Sequence, residues 1–380
     1  MAGACAAPGW RALRRRAAPT VLLLGLLVLP ALSGCADGPI APTAPEGALE
    51  LHRPWALAEA AEVGMDPQAL ARAAQAADAT PALRSLVVIR RGRLVLERYY
   101  DGTGPETPAD GRSITKSVVS LLTGIALERG HLKALDQPVA PFLRDAGWTV
   151  RAELDGLTVE HLLAMTAGFD WPETSRGPAF YNAWVASPDP VAFVLDRPLA
   201  APPGSAFAYN SAAVHLLGVV LEEATGRSLP VWADEVLFGP LGMVGAVWEP
   251  SADGRVNGGS GLDLRPRDLA RLGQLLLQGG WSGDRSVVPE PWVDRSTHRG
   301  FTWAADGGAV GRVSYGLLWW VDLARDAYFA EGYRGQFLYV VPDMEMVVVA
   351  TSALGGLLPP GEQREGVASL VVDRVLEAVP

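Results

Sequence analysis

The β-forming runs of this 380-residue chain lie toward its two ends, and that placement constrains the fold more than any other feature. Two runs rich in branched and aromatic residues, 85–90 and 93–100, flank Arg91-Gly92 and read as a tight hairpin. Four more follow Gly311, at 315–322, 328–331, 336–342 and 345–352, with Pro342-Asp343 turning the chain between the last two. The rest of the folded region carries apolar residues at helical spacing. The segment 66–79 opens with Asp66 as N-cap and Pro67 in the first turn, and 113–129 places Val118, Leu121, Leu122, Ile125 and Ala126 on one face before Gly130. Residues 158–242 read as mostly helical, 266–278 as a further helix, and 362–378 as a closing one. The pattern predicts an α/β (α+β) fold: an antiparallel sheet built from both chain ends, flanked by helices, with a helical subdomain inserted in the middle. There is no internal repeat.

The first 54 residues stand outside that scheme. Arg11 and Arg14-Arg15-Arg16 precede the apolar stretch 20–32, which is too short and too one-sidedly flanked for a membrane span. It runs into Leu32-Ser33-Gly34-Cys35, which looks like a bacterial lipobox, with Cys35 taking the lipid. The chain has two cysteines, Cys5 and Cys35, so no disulfide or thiol chemistry is expected beyond position 35. Residues 36–53 are rich in Pro, Ala and Gly, as a tether would be. The expected organisation is a signal peptide over 1–34, a tether over 35–54 and a folded domain over 55–380. Such a chain is exported and held by its lipid on the extracytoplasmic face of a bacterial membrane. A net charge of −10 opposes a nucleic-acid partner, because phosphate binding needs a basic surface. The five histidines are scattered and no metal-ligand spacing occurs, so neither a metal nor another cofactor is expected.

The basic residues are unevenly chosen. Of 32 Lys plus Arg, two are lysine, Lys116 and Lys133. Arginine keeps its proton in proteins, whereas a desolvated lysine shifts toward neutrality and can act as a base. Lys116 follows Ser113 by three residues at the start of an apolar helix, which puts hydroxyl and amine on one helical face. A serine becomes a nucleophile when a neighbour removes its proton, and a helix N-terminus offers N–H groups to a developing oxyanion. The plainer reading is a capping serine beside a solvated lysine.

Two further segments stand where a site would need them. Phe207-Ala-Tyr209-Asn210-Ser211 opens a helix and presents a phenol and an amide at a loop-to-helix junction, where a phenol beside an ammonium can shuttle protons. Its plainer reading is a core tyrosine followed by a helix cap. Gly332-Tyr333-Arg334-Gly335-Gln336 leads into a strand, and the Gln336 N–H is placed to donate to an oxyanion; the plainer reading is an ordinary turn. Trp171, Tyr181, Trp184 and Trp319 are candidates for pocket or core, with core the commoner fate. Asp170, Glu222 and Asp268 read as structural charges at helix ends.

In this order the three segments resemble the serine β-lactamase and penicillin-recognising superfamily, in its class C-like branch of esterases, D-aminopeptidases and 6-aminohexanoate-dimer hydrolases. Ser113-x-x-Lys116 matches S-x-x-K, Tyr209-Asn210-Ser211 stands at Y-x-N, and Tyr333-Arg334-Gly335 at the K-T-G or H-x-G position. The resemblance runs from about Met65 to the C-terminus. It implies a Ser113 acyl-enzyme, with Lys116 and Tyr209 exchanging protons and either one serving as the base. It also implies an oxyanion hole from the N–H groups of Ser113 and Gln336. Asn210, Ser211, Tyr333, Arg334 and Gly335 would touch a small ester, amide or short-peptide substrate. Ser211 in place of asparagine and Tyr333 in place of a basic residue depart from the pattern and weigh against efficient β-lactam hydrolysis. A β-lactamase or D-alanyl carboxypeptidase, and a catalytically silent envelope binding protein, are the competing expectations.

Overall fold

The computed structural model describes residues 43–298, 304–356 and 358–380. An eight-stranded antiparallel sheet runs in the order Arg93–Tyr99, Leu83–Arg90, Met346–Ser352, Gln336–Val341, Ala327–Gly332, Trp320–Asp322, Arg312–Tyr315, Ala305–Asp306. Strands from the two ends of the chain pair as the second and third of the eight, where Val87 pairs with Val349 and Val88 with Val348. Side chains on a strand alternate between faces. Val87 and Ile89 accordingly pack into one core with the helix Ile114–Glu128, while Leu86 and Val88 pack into a second core with the helix Pro67–Asp78 and the C-terminal helix. Burial on both faces explains why these strands read as nearly unbroken apolar runs. Each fully buried valine or leucine contributes roughly 1.5–3 kcal/mol.

The run expected as one strand over 315–322 is two. Gly316 N–H donates to the Trp319 carbonyl at 2.8 Å, Leu318 adopts φ 66°, and the chain reverses between Arg312–Tyr315 and Trp320–Asp322. Its apolarity belongs to a buried turn rather than to a strand. The carbonyls of Leu317 and Leu318 accept the hydroxyls of Ser120 and Ser117, each at 2.7 Å, beneath the Ile114–Glu128 helix. The closing helix is α-helical over Pro360–Ser369, widens over Leu370–Val375 and tightens over Leu376–Ala378.

Between the sheet's two halves the chain builds a helical region around Ser211–Thr225, which packs on Ile114–Glu128. A small sheet of Ala109–Asp110, Leu262–Leu264 and Val247–Trp248 ties this region to the start of the Ile114–Glu128 helix. Trp171, Trp184 and Trp319 are buried in the core. Asp170, Glu222 and Asp268 hold arginines: Arg197, Arg255, and the pair Arg265 and Arg271.

The folded body begins earlier than Trp55. Leu51 is buried, its N–H donates to Ser282 Oγ at 2.9 Å, and its carbonyl accepts Arg271 Nε at 2.8 Å. The expected signal peptide, the lipobox Cys35 and the first part of the tether lie outside the described residues. Among those described, no helix is long and apolar enough to cross a membrane, and no group of three or more His, Cys, Asp or Glu is placed to hold a metal ion.

Candidate active site

The approach to Ser113 is held by the residue two before Arg112. Asp110 accepts the Arg112 N–H at 2.8 Å and pairs with Arg112 Nε at 3.1 Å, holding Arg112 at φ 47°. The next residue, Ser113, starts the helix, yet its side chain makes no capping bond. The plainer reading of Ser113 as a cap therefore does not hold: the hydroxyl faces a cleft of about 570 Å³.

The helix Ile114–Glu128 is buried around its whole circumference from Ile114 to Ala126, which is why Lys116 in its first turn is 1% exposed. Lys116 Nζ donates to Ser113 Oγ at 2.8 Å and to the Gly259 carbonyl at 2.6 Å, and lies 5.0 Å from the centre of the Tyr209 ring. Burial lowers its pKa to about 8, against the nearby charge of Glu173, which favours the ammonium. The other lysine, Lys133, is exposed.

The Tyr209 phenol lies within hydrogen-bonding reach of Ser113, with its ring stacked on Trp320 and edge-on to Tyr315. Burial holds this phenol well above its ordinary pKa, reinforced by Tyr315 and Glu173 and opposed by the Ser113 hydrogen bond. Desolvation outweighs any help from the ammonium, contrary to the expectation of an easily ionised phenol. Ser113, Lys116 and Tyr209 thus converge, although Tyr209 is about a hundred residues away in sequence.

The neighbours of these three differ from expectation. Asn210 is 2% exposed and its carbonyl oxygen caps the Ser211–Thr225 helix by accepting Ala213 N–H at 2.9 Å; it does not face the cleft. Ser211 turns the other way and donates to Glu173 from both N–H (2.8 Å) and Oγ (2.6 Å), while Trp171 Nε1 adds a third bond at 2.8 Å. Glu173, fixed by these donors, lines the cleft. No local signal marked it, because its partner Ser211 is 38 residues away. Gly259 escaped notice for the same reason, 143 residues from Lys116, although its glycine-rich surroundings, Gly258-Gly259-Ser260-Gly261, hinted at close backbone approach.

The third segment also departs from expectation. Gln336 is fully buried, its carboxamide bonded to Ser352, and it is not part of the cleft wall. The Arg334 guanidinium points away, to the Leu358 carbonyl at 3.0 Å and Gln363 Oε1 at 2.8 Å. Gly335 packs on Arg364 and Val367. The strand Ala327–Gly332 reaches the segment before Ser113 at its last residue, Gly332, which abuts Gly111 and Arg112. Tyr333 follows and lines the cleft. The register differs because the three-residue turn 333–335 carries positive φ at both Arg334 and Gly335, which swings Gln336 into the sheet.

A family model described as Beta-lactamase matches residues 68–372. The 6-aminohexanoate-dimer hydrolase of Paenarthrobacter ureafaciens is 26% identical over 322 residues, covering 78% of this chain and 79% of that protein. Esterase EstB of Burkholderia gladioli is 35% identical over 146 residues, 34% of this chain and 36% of that one. Among solved structures, the octameric penicillin-binding protein homologue from Pyrococcus abyssi superposes with a TM-score of 0.63 at 21% identity, covering 81% of this chain and 77% of that one.

Proposed function

The chain belongs to the β-lactamase family and is a serine hydrolase of that fold, and from this premise we propose that it cleaves carboxylic esters or amides through an acyl-enzyme on Ser113. The observation that carries the reading is the 2.8 Å bond between Lys116 Nζ and Ser113 Oγ inside a cleft wide enough for a small substrate.

Lys116 is the base in this reading, because burial moves it toward neutrality while the same burial moves Tyr209 away from ionisation. Lys116 takes the Ser113 proton as Oγ bonds to the substrate carbonyl carbon. The oxyanion is received by the N–H groups of Ser113 and Tyr333. Neither N–H meets a backbone acceptor among the described residues, whereas those of Gly111, Arg112, Ile114 and Thr115 are all engaged. Tyr209 passes the proton from Lys116 to the departing alkoxide or amine, leaving the acyl group on Ser113. Water then attacks with the same groups acting in reverse, releasing a carboxylic acid and restoring the serine. Glu173 opposes complete loss of the Lys116 proton, and Tyr333 borders the substrate.

The β-lactamase or D-alanyl carboxypeptidase reading needs a cation for the substrate carboxylate. Arg334 is committed elsewhere and Arg112 is paired with Asp110, so esters and uncharged amides fit better. The silent binding-protein reading leaves the buried Lys116–Ser113 pair without a purpose. Export and anchoring through Cys35 belong to the same proposal, with the lipid holding the hydrolase at an extracytoplasmic membrane face.

Purified protein incubated with p-nitrophenyl butyrate is expected to release nitrophenol with a burst and to gain the acyl mass on Ser113. Ser113→Ala is expected to lose at least about a thousandfold in kcat/KM. Equal turnover by both proteins, without an adduct, would refute the proposal, and rapid nitrocefin turnover would favour the lactamase reading instead.

A further inference from the structure

Lys116 finds its second acceptor in the loop 257–261, which is held both from within and from outside. The carbonyl of Gly259 receives Lys116 Nζ at 2.6 Å. A peptide plane beside a glycine rotates easily, and rotation here would turn that carbonyl away from the ammonium. Within the loop that plane is held by one long bond, Ser260 N–H to the Asn257 carbonyl at 3.3 Å, and the preceding plane is fixed as well. Gly259 N–H donates to Asn257 Oδ1 at 2.9 Å, and a methyl group on Gly259 would lie 2.5 Å from the Ser211 carbonyl oxygen, so the backbone cannot shift that way. The other side is Ser260. Its hydroxyl is bonded to the Tyr181 hydroxyl, which comes from the helix Pro178–Val185 across the cleft. Tyr181 is braced in turn by Trp184, edge-on with ring centres 5.5 Å apart.

We propose that Tyr181 and Ser260 form a latch that positions Lys116, holding the Gly259 carbonyl against the amine. The pair forms no part of the proton path, since neither hydroxyl bonds to Ser113, Lys116 or Tyr209. Tyr181 stays neutral across ordinary pH because burial pushes its phenol up, with the Ser260 bond pulling the other way, so the latch keeps its hydrogen bond. The charged and titratable groups facing Lys116 are Glu173 and Tyr209 from the loop before the Ser211–Thr225 helix, with the neutral Ser113 hydroxyl beside them. Among the polar groups around the amine, the Gly259 carbonyl is the one next in sequence to a latch residue, and the latch adds to the long Ser260 N–H bond that holds its plane.

The inference rests on the reading of Lys116 as the proton-transfer group, but its test observes the lysine itself. With two lysines in the chain, protein labelled with 13C at lysine Cε gives two lysine signals, and the exposed Lys133 serves as an internal control. A carbonyl acceptor favours the charged amine. Tyr181→Phe and Ser260→Ala are each expected to lower the Lys116 titration midpoint by about half a unit or more, leaving Lys133 in place. The double variant is expected to go no further than either single one, because both break the same bond. Tyr100→Phe, which removes an exposed hydroxyl bonded to Asp78, is expected to change nothing. In ester hydrolysis the latch variants are expected to lose about tenfold in kcat, and since both side chains also line the cleft, the Lys116 midpoint rather than KM separates positioning from substrate contact.

An unmoved Lys116 midpoint in both single variants overturns the latch, and so does a double variant that sums the two shifts. If wild-type protein shows no Ser113-dependent turnover while the midpoint still moves, the hydrolase reading fails and the latch survives. Should Tyr181→Phe fold poorly, judged by the Lys133 signal and circular dichroism, Ser260→Ala decides alone.

Discussion

Gly332 meets Gly111 so closely that a methyl group on Gly332 would lie 2.3 Å from the Gly111 carbonyl oxygen and 3.0 Å from Arg112 Cβ. The end of the strand Ala327–Gly332 thereby sets where the chain runs two residues before Ser113, the proposed nucleophile. A backbone oxygen cannot step aside as a flexible side chain can. Gly332→Ala is expected to lower kcat/KM for esters about a hundredfold and to cost roughly 1–3 kcal/mol in urea unfolding. Gly366→Ala, where an added methyl meets nothing within 4 Å, is expected to be neutral or to stabilise its helix by up to about 1 kcal/mol. A fully active Gly332→Ala would show that this contact does not place Ser113.

The acid limb of the rate profile reports the lysine. With its pKa lowered to about 8, Lys116 becomes neutral as pH rises through that value; if it is the base proposed above, kcat/KM climbs between about pH 7 and 9. Lys116→Arg keeps a cation but cannot shed its proton, and is expected to be as inactive as Lys116→Ala. Stopped-flow hydrolysis of p-nitrophenyl butyrate across pH checks both expectations.

Glu173 works against that loss of charge. Its carboxylate raises the Lys116 pKa, so Glu173→Gln is expected to move the ascending limb to lower pH. The Gln carbonyl can still accept from Ser211 and Trp171, which leaves the fold intact. A limb that stays in place would mean that Glu173 matters only through those structural bonds.

Asp263 stands directly across from Asp110 in the small sheet behind Arg112. Burial raises its pKa from 3.8 to about 6, with the charges of Asp110 and Glu249 adding and Arg112 opposing. The folded state therefore binds the proton more tightly than the unfolded one, and this site loses stability as pH rises from about 4 to about 6. Asp263→Asn removes that cost. Discounted for the partial exposure of Asp263, the gain is expected to be about 1 kcal/mol at pH 8 and to vanish near pH 4, as read by urea unfolding at both values.

Cys35→Ser is expected to leave a chain that is exported but found in the soluble fraction, and globomycin is expected to block processing of the parent chain. Membrane fractionation indifferent to both treatments would remove the anchor from the proposal.

What was legible in the sequence was what short stretches encode. The unbroken branched, apolar runs within 85–90 and 345–352 marked interior strands, and the three-residue spacing of Ser113 and Lys116 put both on one face of a helix whatever the helix packed against. Tyr209 was visible as a phenol at a helix start. The turn at 316–319 was hidden because its burial made it look like strand, and Asn210 was misread because capping and substrate binding call for the same side chain. Gln336 was misplaced because one left-handed residue more or less in the preceding turn exchanges the inward and outward positions.

The sequence by itself determined the order of strands and helices, the hydroxyl–amine pair, and the exclusion of arginine from position 116, since each depends on neighbours a few residues apart. The tertiary structure alone decided how far that amine is desolvated, which carbonyl receives it, and that Glu173 borders the cleft while Asn210 and Gln336 do not. Those outcomes depend on segments tens to more than a hundred residues apart, and desolvation is a property of packed volume that no local pattern carries.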